Sequence, residues 1–94
     1  MEHELKTVNP HFHETYHGRK TFEIRDATDR DFICDDTLKL REWEPETESY
    51  TGRWVRVYVS HILRNHPAVS DGYFVMSIER LSRFSEKEGL QIYQ

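Results

Sequence analysis

Three charged side chains just after the first predicted helix have the types and spacing of a binding site: Lys20, Glu23 and Arg25. The Lys20 ammonium can contact a phosphate, or act as a base if burial favours its neutral form. On a strand, Glu23 and Arg25 share one face about 7 Å apart, while Phe22 and Ile24 take the other face, which we expect to be buried. Glu23 would accept from a base or ribose, and Arg25 would clamp a phosphate or stack on a base. The trio favours a phosphate-bearing ligand in a cleft.

Aromatic side chains could add stacking faces, each worth about 1–3 kcal/mol per base. A small barrel also needs bulky aromatics for its core, so most of them are expected to be structural. Two of them, Tyr50 and Trp54, flank a predicted hairpin beside Arg53, and we predict that these three residues extend the binding site. The full set of candidates is Trp43, Tyr50, Trp54, Tyr58 and Tyr73.

Metal and cofactor chemistry finds little support in the sequence. His13 and His17 share a helical face, but zinc requires three or four ligands, and no Cys-x-x-Cys pair or calcium-loop spacing occurs. No glycine-rich phosphate loop or G-x-S-x-G elbow occurs either. We therefore expect surface histidines, no metal and no cofactor.

Size and charge limit the partners. A chain of 94 residues forms one small domain, and a net charge of −4 argues against broad attraction to duplex DNA or anionic lipid while allowing a local basic cleft. No apolar run approaches the roughly 18 residues of a membrane span, and the polar start predicts no secretory signal. The single Cys34 permits no internal disulfide, which fits a reducing compartment. We expect a cytoplasmic protein without a membrane partner.

The apolar pattern predicts five strands and one early helix. Asn9-Pro10 favours a helix start, and Gly18 is the preferred residue just after a helix end. The predicted strands are 3–8, 21–26, 37–44, 53–63 and 72–79, and residues 80–94 form either a sixth strand or a loose tail. These elements predict an α+β fold: a small pseudo-β-barrel of five to six mostly antiparallel strands. We place the domain at 1–81 and a C-terminal extension at 82–94.

The spacing Gly18-x-Lys20-x-x-Glu23-x-Arg25 resembles the G-x-K-x-x-E-x-R signature of ASCH domains in the PUA-like superfamily. The chain is similar in particular to a group of short phage and bacterial ASCH-like proteins. Further ordered segments support this resemblance, which covers about residues 3–79: His3-Glu4-Leu5-Lys6, Asp29-Arg30-x-Phe32, Leu38-x-Leu40-Arg41-Glu42-Trp43, Tyr50-Thr51-Gly52-Arg53 and Gly72-Tyr73.

The resemblance implies a PUA-like pseudo-barrel with a cleft between helix and strands that binds RNA or nucleotides. Some relatives of this kind are hydrolases, including amidohydrolases of acetylated cytidine and a ribonuclease. Their catalytic lysine corresponds to Lys20, but their threonine corresponds to Glu23, so their reaction is not carried over intact. The family usually has Gly-Asp before its third strand, where this chain has Asp35-Asp36. Asp tolerates a left-handed turn, so the fold should survive this change.

Three functions follow as hypotheses. The first is a module that binds single-stranded RNA or a nucleotide through Lys20, Glu23, Arg25 and the aromatic hairpin. The second is a hydrolase of a modified nucleoside, with Lys20 and Glu23 as the catalytic candidates. The third is an accessory protein that binds another protein and retains a vestigial cleft. Oligomeric state and ligand identity stay open.

Overall fold

The computed structural model describes residues 1–93 as six strands and one short helix. Their bounds are β1 Glu2–Thr7, α1 His11–Tyr16, β2 Phe22–Asp26, β3 Thr37–Glu44, β4 Ser49–Leu63, β5 Tyr73–Ser85 and β6 Gly89–Ile92. The predicted α+β class, with mostly antiparallel strands and one early helix, is confirmed.

A single sheet carries the architecture. Its strand order is β1-β3-β4-β5-β2, with β6 paired to β5. The β1–β3 pair is parallel and the other pairs are antiparallel. The sheet curls into a half-barrel, and β1 and β2 are its two end strands.

The core fills the concave side of the sheet. Alternate residues of β3 and β4 point inward, as their period of two predicts: Leu38 and Leu40, then Val55, Val57 and Val59. From α1, the side chains of Phe12 and Tyr16 pack into the same cluster. The short helix therefore closes part of the half-barrel and leaves another part open.

Polar contacts fix both ends of α1. The predicted start at Asn9-Pro10 is displaced slightly, since the helix begins at His11, but the Asn9 side chain still accepts from the His13 amide at 2.9 Å. At the other end, the Tyr16 carbonyl accepts from Arg80 Nη1 at 2.8 Å and from Arg83 Nη1 at 3.0 Å. Cations at the C-terminus of a helix satisfy its last carbonyls and complement its dipole.

The orientation of β2 differs from the prediction. Phe22 and Ile24 are 44% and 54% exposed, whereas Glu23 is only 4% exposed. The expectation that the apolar pair faces the core is therefore wrong. The pairing with β5 explains why: directly paired residues share a face, and Glu23 pairs with the fully buried Met76.

Two local features concern the turn before β3 and the C-terminal region. Asp35 has a φ of +77°, which is a left-handed backbone conformation. This is the position where the resembling family usually has glycine, and the aspartate accommodates the same turn. Strand β5 continues to Ser85, six residues beyond the predicted end at 79, and β6 pairs with its last part. The segment that followed the predicted barrel is thus hydrogen-bonded to the sheet.

Candidate functional site

A pocket of about 390 Å³ lies where the two end strands of the half-barrel approach each other. Its lining residues come from the end of β1, the start of α1 and most of β2, with one residue each from the segments after β1 and before β2. These are Lys6, Thr7, Val8, His11, Lys20 and residues 22–25. A volume of this size falls within the range of small-molecule sites.

The predicted trio meets in this pocket. Glu23 Oε2 lies 2.6 Å from Lys20 Nζ, and Glu23 Oε1 lies 3.3 Å from Arg25 Nη2. Lys20 and Arg25 side chains are 13% and 22% exposed, so both cations reach the pocket while the carboxylate between them stays covered. Arg25 Nη1 also lies 3.9 Å from Asp29 Oδ2 at the end of the following turn. The pairing orients both cations, because a charge-assisted hydrogen bond fixes donor direction.

Charge and surface type divide the pocket into two regions. Lys20 and Arg25 supply two cations to one carboxylate, and Lys6 also lines the pocket, although its ammonium lies 3.8 Å from the centre of the Trp43 ring. The lining therefore has a positive balance in a chain of net charge −4. The apolar part consists of Val8 with the outward-facing Phe22 and Ile24 of β2, all more than one third exposed. Because β2 ends the sheet, side chains from both of its faces border the opening. A ligand with an anionic group and a flat apolar body matches both regions.

Two polar atoms among the lining residues lack hydrogen-bond partners within residues 1–93: the Thr7 hydroxyl and Arg25 Nε. Both atoms are covered, and a buried donor without an acceptor is uncommon in folded proteins. Sequence reasoning missed Thr7. The only sequence signal for Thr7 is the alternation along β1, which puts its side chain on the same inward face as those of His3 and Leu5.

The other three predicted residues lie outside the described pocket lining. Tyr50 packs edge-on against Trp43, 4.9 Å between ring centres, and Trp54 stacks on Phe84 at 5.8 Å. Arg53 bonds Glu42 through Nε and Nη2, both at 2.8 Å. The structure therefore brings together Lys20, Glu23 and Arg25, and separates them from the hairpin residues.

The contacts of Arg53 belong to a network that attaches α1 to the sheet, through Asn9 just before the helix and Tyr16 at its last residue. Glu42 also accepts from Thr51 Oγ1 at 2.6 Å and from Asn9 Nδ2 at 2.7 Å. The Arg53 hydrogen bonds are the largest influence on this carboxyl; with Thr51 and Asn9 they outweigh burial and lower the pKa of Glu42 to about 2. The guanidinium also lies 4.9 Å from the Tyr16 ring centre. This network is fully paired and holds the helix beside the pocket.

His13 on α1 and His17 just after the helix lie close together, with 4.4 Å between their ring centres. Within residues 1–93, no three His, Cys, Asp or Glu side chains are grouped to hold a metal ion. Nor does that part of the chain include a helix with the length and apolarity to cross a membrane.

The fold and site together define a small half-barrel domain with a basic pocket between its end strands. The family model of DUF3850, a domain of unknown function, matches residues 2–78, and the chain belongs to this family. The matched region contains every residue that lines the pocket. A search of curated proteins gave no match.

Proposed function

We propose that this domain binds single-stranded RNA or a nucleotide in the pocket between β1 and β2. The observation that carries the proposal is the convergence of Lys20, Glu23 and Arg25 on one open pocket. Lys20 and Arg25 contact phosphate, and Glu23 orients both cations while its remaining lone pairs accept from a base or ribose. The exposed apolar side chains beside them offer a surface for the base.

The same residues support assigning the chain to the ASCH domains of the PUA-like superfamily. Lys20, Glu23 and Arg25 of the G-x-K-x-x-E-x-R signature line the pocket, and Gly18 ends the preceding turn with a φ of +81°. A curled half-barrel is compatible with a PUA-like fold. On this assignment the signature is a ligand-binding motif, with its glycine placing the lysine.

Binding is favoured over the hydrolase alternative by the environment of Lys20. Its ammonium donates one hydrogen bond to the Glu23 carboxylate, which fixes its position and leaves two N–H donors for a phosphate. Incubation of the protein with acetylated cytidine, without added metal, should give no product while nucleotide binding is retained. Turnover that disappears in Lys20→Ala would establish the hydrolase instead.

The binding test uses a fluorescent single-stranded RNA of about ten nucleotides and fluorescence anisotropy. Lys20→Ala and Arg25→Ala should each raise the Kd about tenfold or more, equivalent to about 1.4 kcal/mol. Lys87→Ala serves as the matched control, because Lys87 is an exposed lysine in the turn between β5 and β6 and should bind as the wild type does. Thermal melts of each variant separate a lost contact from a lost fold.

Wild-type protein that binds neither the RNA nor any nucleotide would refute the proposal. Equal weakening by Lys87→Ala would show a non-specific charge effect. The Tyr50→Ala and Trp54→Ala variants test the hairpin, and normal binding by both would confine the site to the pocket.

A further inference from the structure

The Thr7 hydroxyl has no visible role in holding the fold together. Thr7 ends β1, it is 5% exposed, and its Oγ1 has no hydrogen-bond partner in the described chain. A valine of the same shape would fill this position without leaving a polar group unpaired. Because Thr7, unlike the equally unpartnered Thr15, lines the pocket, a ligand there can supply the partner that the described chain does not.

Arg25 Nε is in the same condition on the opposite end strand. It is covered and unpartnered within residues 1–93, although the other end of the guanidinium contacts Glu23 and Asp29. Thr7 and Arg25 thus line the pocket from β1 and β2, the two ends of the strand order, and each carries one covered, unpaired polar atom. Neither atom is exposed to solvent, so each reaches a ligand in the pocket only after its side chain changes rotamer.

The burial of these atoms indicates which part of a ligand they receive. A phosphate loses strong hydration when it enters a covered site, whereas a carbonyl or ring nitrogen of a nucleobase loses much less. The side chains of Lys20 and Arg25 are 13% and 22% exposed, whereas Thr7 is only 5% exposed. Phe22 and Ile24 provide exposed apolar surface on the way in. The arrangement fits a phosphate at the opening and a flat heterocycle inside.

We infer that Thr7 is a ligand-binding residue and that, with Arg25 Nε, it hydrogen-bonds the acceptor atoms of one nucleobase inserted edge-first between β1 and β2. This inference rests on the proposed function and adds the direction in which the nucleotide enters. The site accepts one base, and the sugar and phosphate remain toward Lys20.

The test compares Thr7→Val, which removes only the hydroxyl, with Thr7→Ser, which keeps it. Thr15→Val is the matched control, because Thr15 Oγ1 is also buried and unpartnered in the described chain but lies in α1, outside the pocket lining. The probes are the four ribonucleoside 5′-monophosphates and ribose 5-phosphate, titrated against labelled protein by NMR. Thr7→Val should weaken binding of the best mononucleotide about fivefold or more, whereas Thr7→Ser and Thr15→Val should stay within about twofold of wild type.

Ribose 5-phosphate separates the base from the phosphate. Thr7→Val should bind ribose 5-phosphate as tightly as wild type does. If wild type shows no measurable binding of ribose 5-phosphate, the comparison of mononucleotide affinities decides. Equal weakening of both probes would overturn the inference, since Thr7 would then act on phosphate or on pocket shape. If Thr7→Val binds the mononucleotide as tightly as wild type does, the inference is also overturned, while the proposed function remains intact. Wild type that binds no nucleotide or RNA would remove the proposed function, and this inference with it.

Discussion

At the scale of single residues, Glu42 is a buried carboxylate whose hydrogen bonds stabilise its charged form. It is 5% exposed and accepts hydrogen bonds from Arg53, Thr51 and Asn9, which lower its pKa to about 2 from an ordinary 4.5. A carboxyl whose pKa is lower in the folded state stabilises the fold above its unfolded pKa. That contribution is lost as pH falls from about 4.5 towards 2.

Glu42→Gln should therefore lower the free energy of unfolding at pH 7 by about 2–3 kcal/mol. The difference from wild type should shrink as pH falls towards 2, because the wild-type carboxyl becomes protonated there. Urea denaturation at a series of pH values between neutral and strongly acid measures both effects. Glu46→Gln is the control, since Glu46 is exposed in the turn between β3 and β4.

Wild-type and Glu42→Gln curves that stay parallel through the acid range would contradict the assignment of this pKa. The acid dependence should not vanish in the variant. Burial pushes the pKa of Asp36 up, but hydrogen bonds from His3 and the Ile33 amide outweigh it, so this pKa is also lowered. Asp36 therefore continues to lose its stabilising effect as pH falls.

The sequence placed Lys20, Glu23 and Arg25 together because their spacing is short and a strand of known period follows a helix end. Thr7 could not be found in the same way. Its place in the pocket depends on β1 and β2, which lie at opposite ends of the strand order and both line the pocket. No local spacing in the sequence carries this long-range relation. Local pattern thus revealed one side of the pocket and left the other side hidden.

At the scale of elements, the turn from α1 to β2 determines where Lys20 lies. Gly18 has a φ of +81°, and a Cβ built on it would lie 2.6 Å from Arg80 Nη2. That guanidinium also donates to the Tyr16 carbonyl and to the Tyr93 hydroxyl. The glycine is therefore favoured by the backbone conformation, and a side chain at this position would also have to displace the Arg80 guanidinium.

Gly18→Ala should destabilise more than Gly72→Ala, which is a matched control with a φ of +84° and open space around its Cβ position. Gly72→Ala should cost about 1–2 kcal/mol from backbone strain alone. Gly18→Ala should exceed it by about 1–3 kcal/mol, because Arg80 must give up hydrogen bonds to make room. Urea unfolding of the two variants measures the difference. Equal losses would mean that Arg80 moves aside without cost.

Strand orientation was the least predictable element property. The alternation in Phe22-Glu23-Ile24-Arg25 specifies two faces but not which one is inside, and ordinary burial preferences choose the wrong one. Register with β5 decides the matter, since Glu23 pairs with Met76 on the concave side. The end of β5 was missed for a related reason: Arg80 and Arg83 look like surface residues in the sequence, but they satisfy the end of α1.

At the scale of the whole molecule, the charge distribution limits how a polyanion can bind. The net charge of −4 repels a phosphate chain at a distance, while the pocket places Lys20 and Arg25 close together on the two sides of Glu23. Salt screens the long-range repulsion and also weakens the local attraction. The slope of log K against log salt concentration therefore reports how many phosphates the protein neutralises.

The proposed contacts of Lys20 and Arg25 with phosphate predict a shallow slope. For single-stranded nucleic acid, log K falls by about 0.7 for each phosphate neutralised per unit of log salt, so Lys20 and Arg25 together predict a slope near −1.4. Lys20→Ala should reduce the magnitude of the slope by about 0.7, and Lys87→Ala should leave it unchanged. Anisotropy titrations of the RNA oligomer over about a tenfold range of potassium chloride give these slopes. A wild-type slope twice as steep would require a phosphate track across the surface beyond the pocket, and a slope of zero would mean that the RNA is held without phosphate contacts.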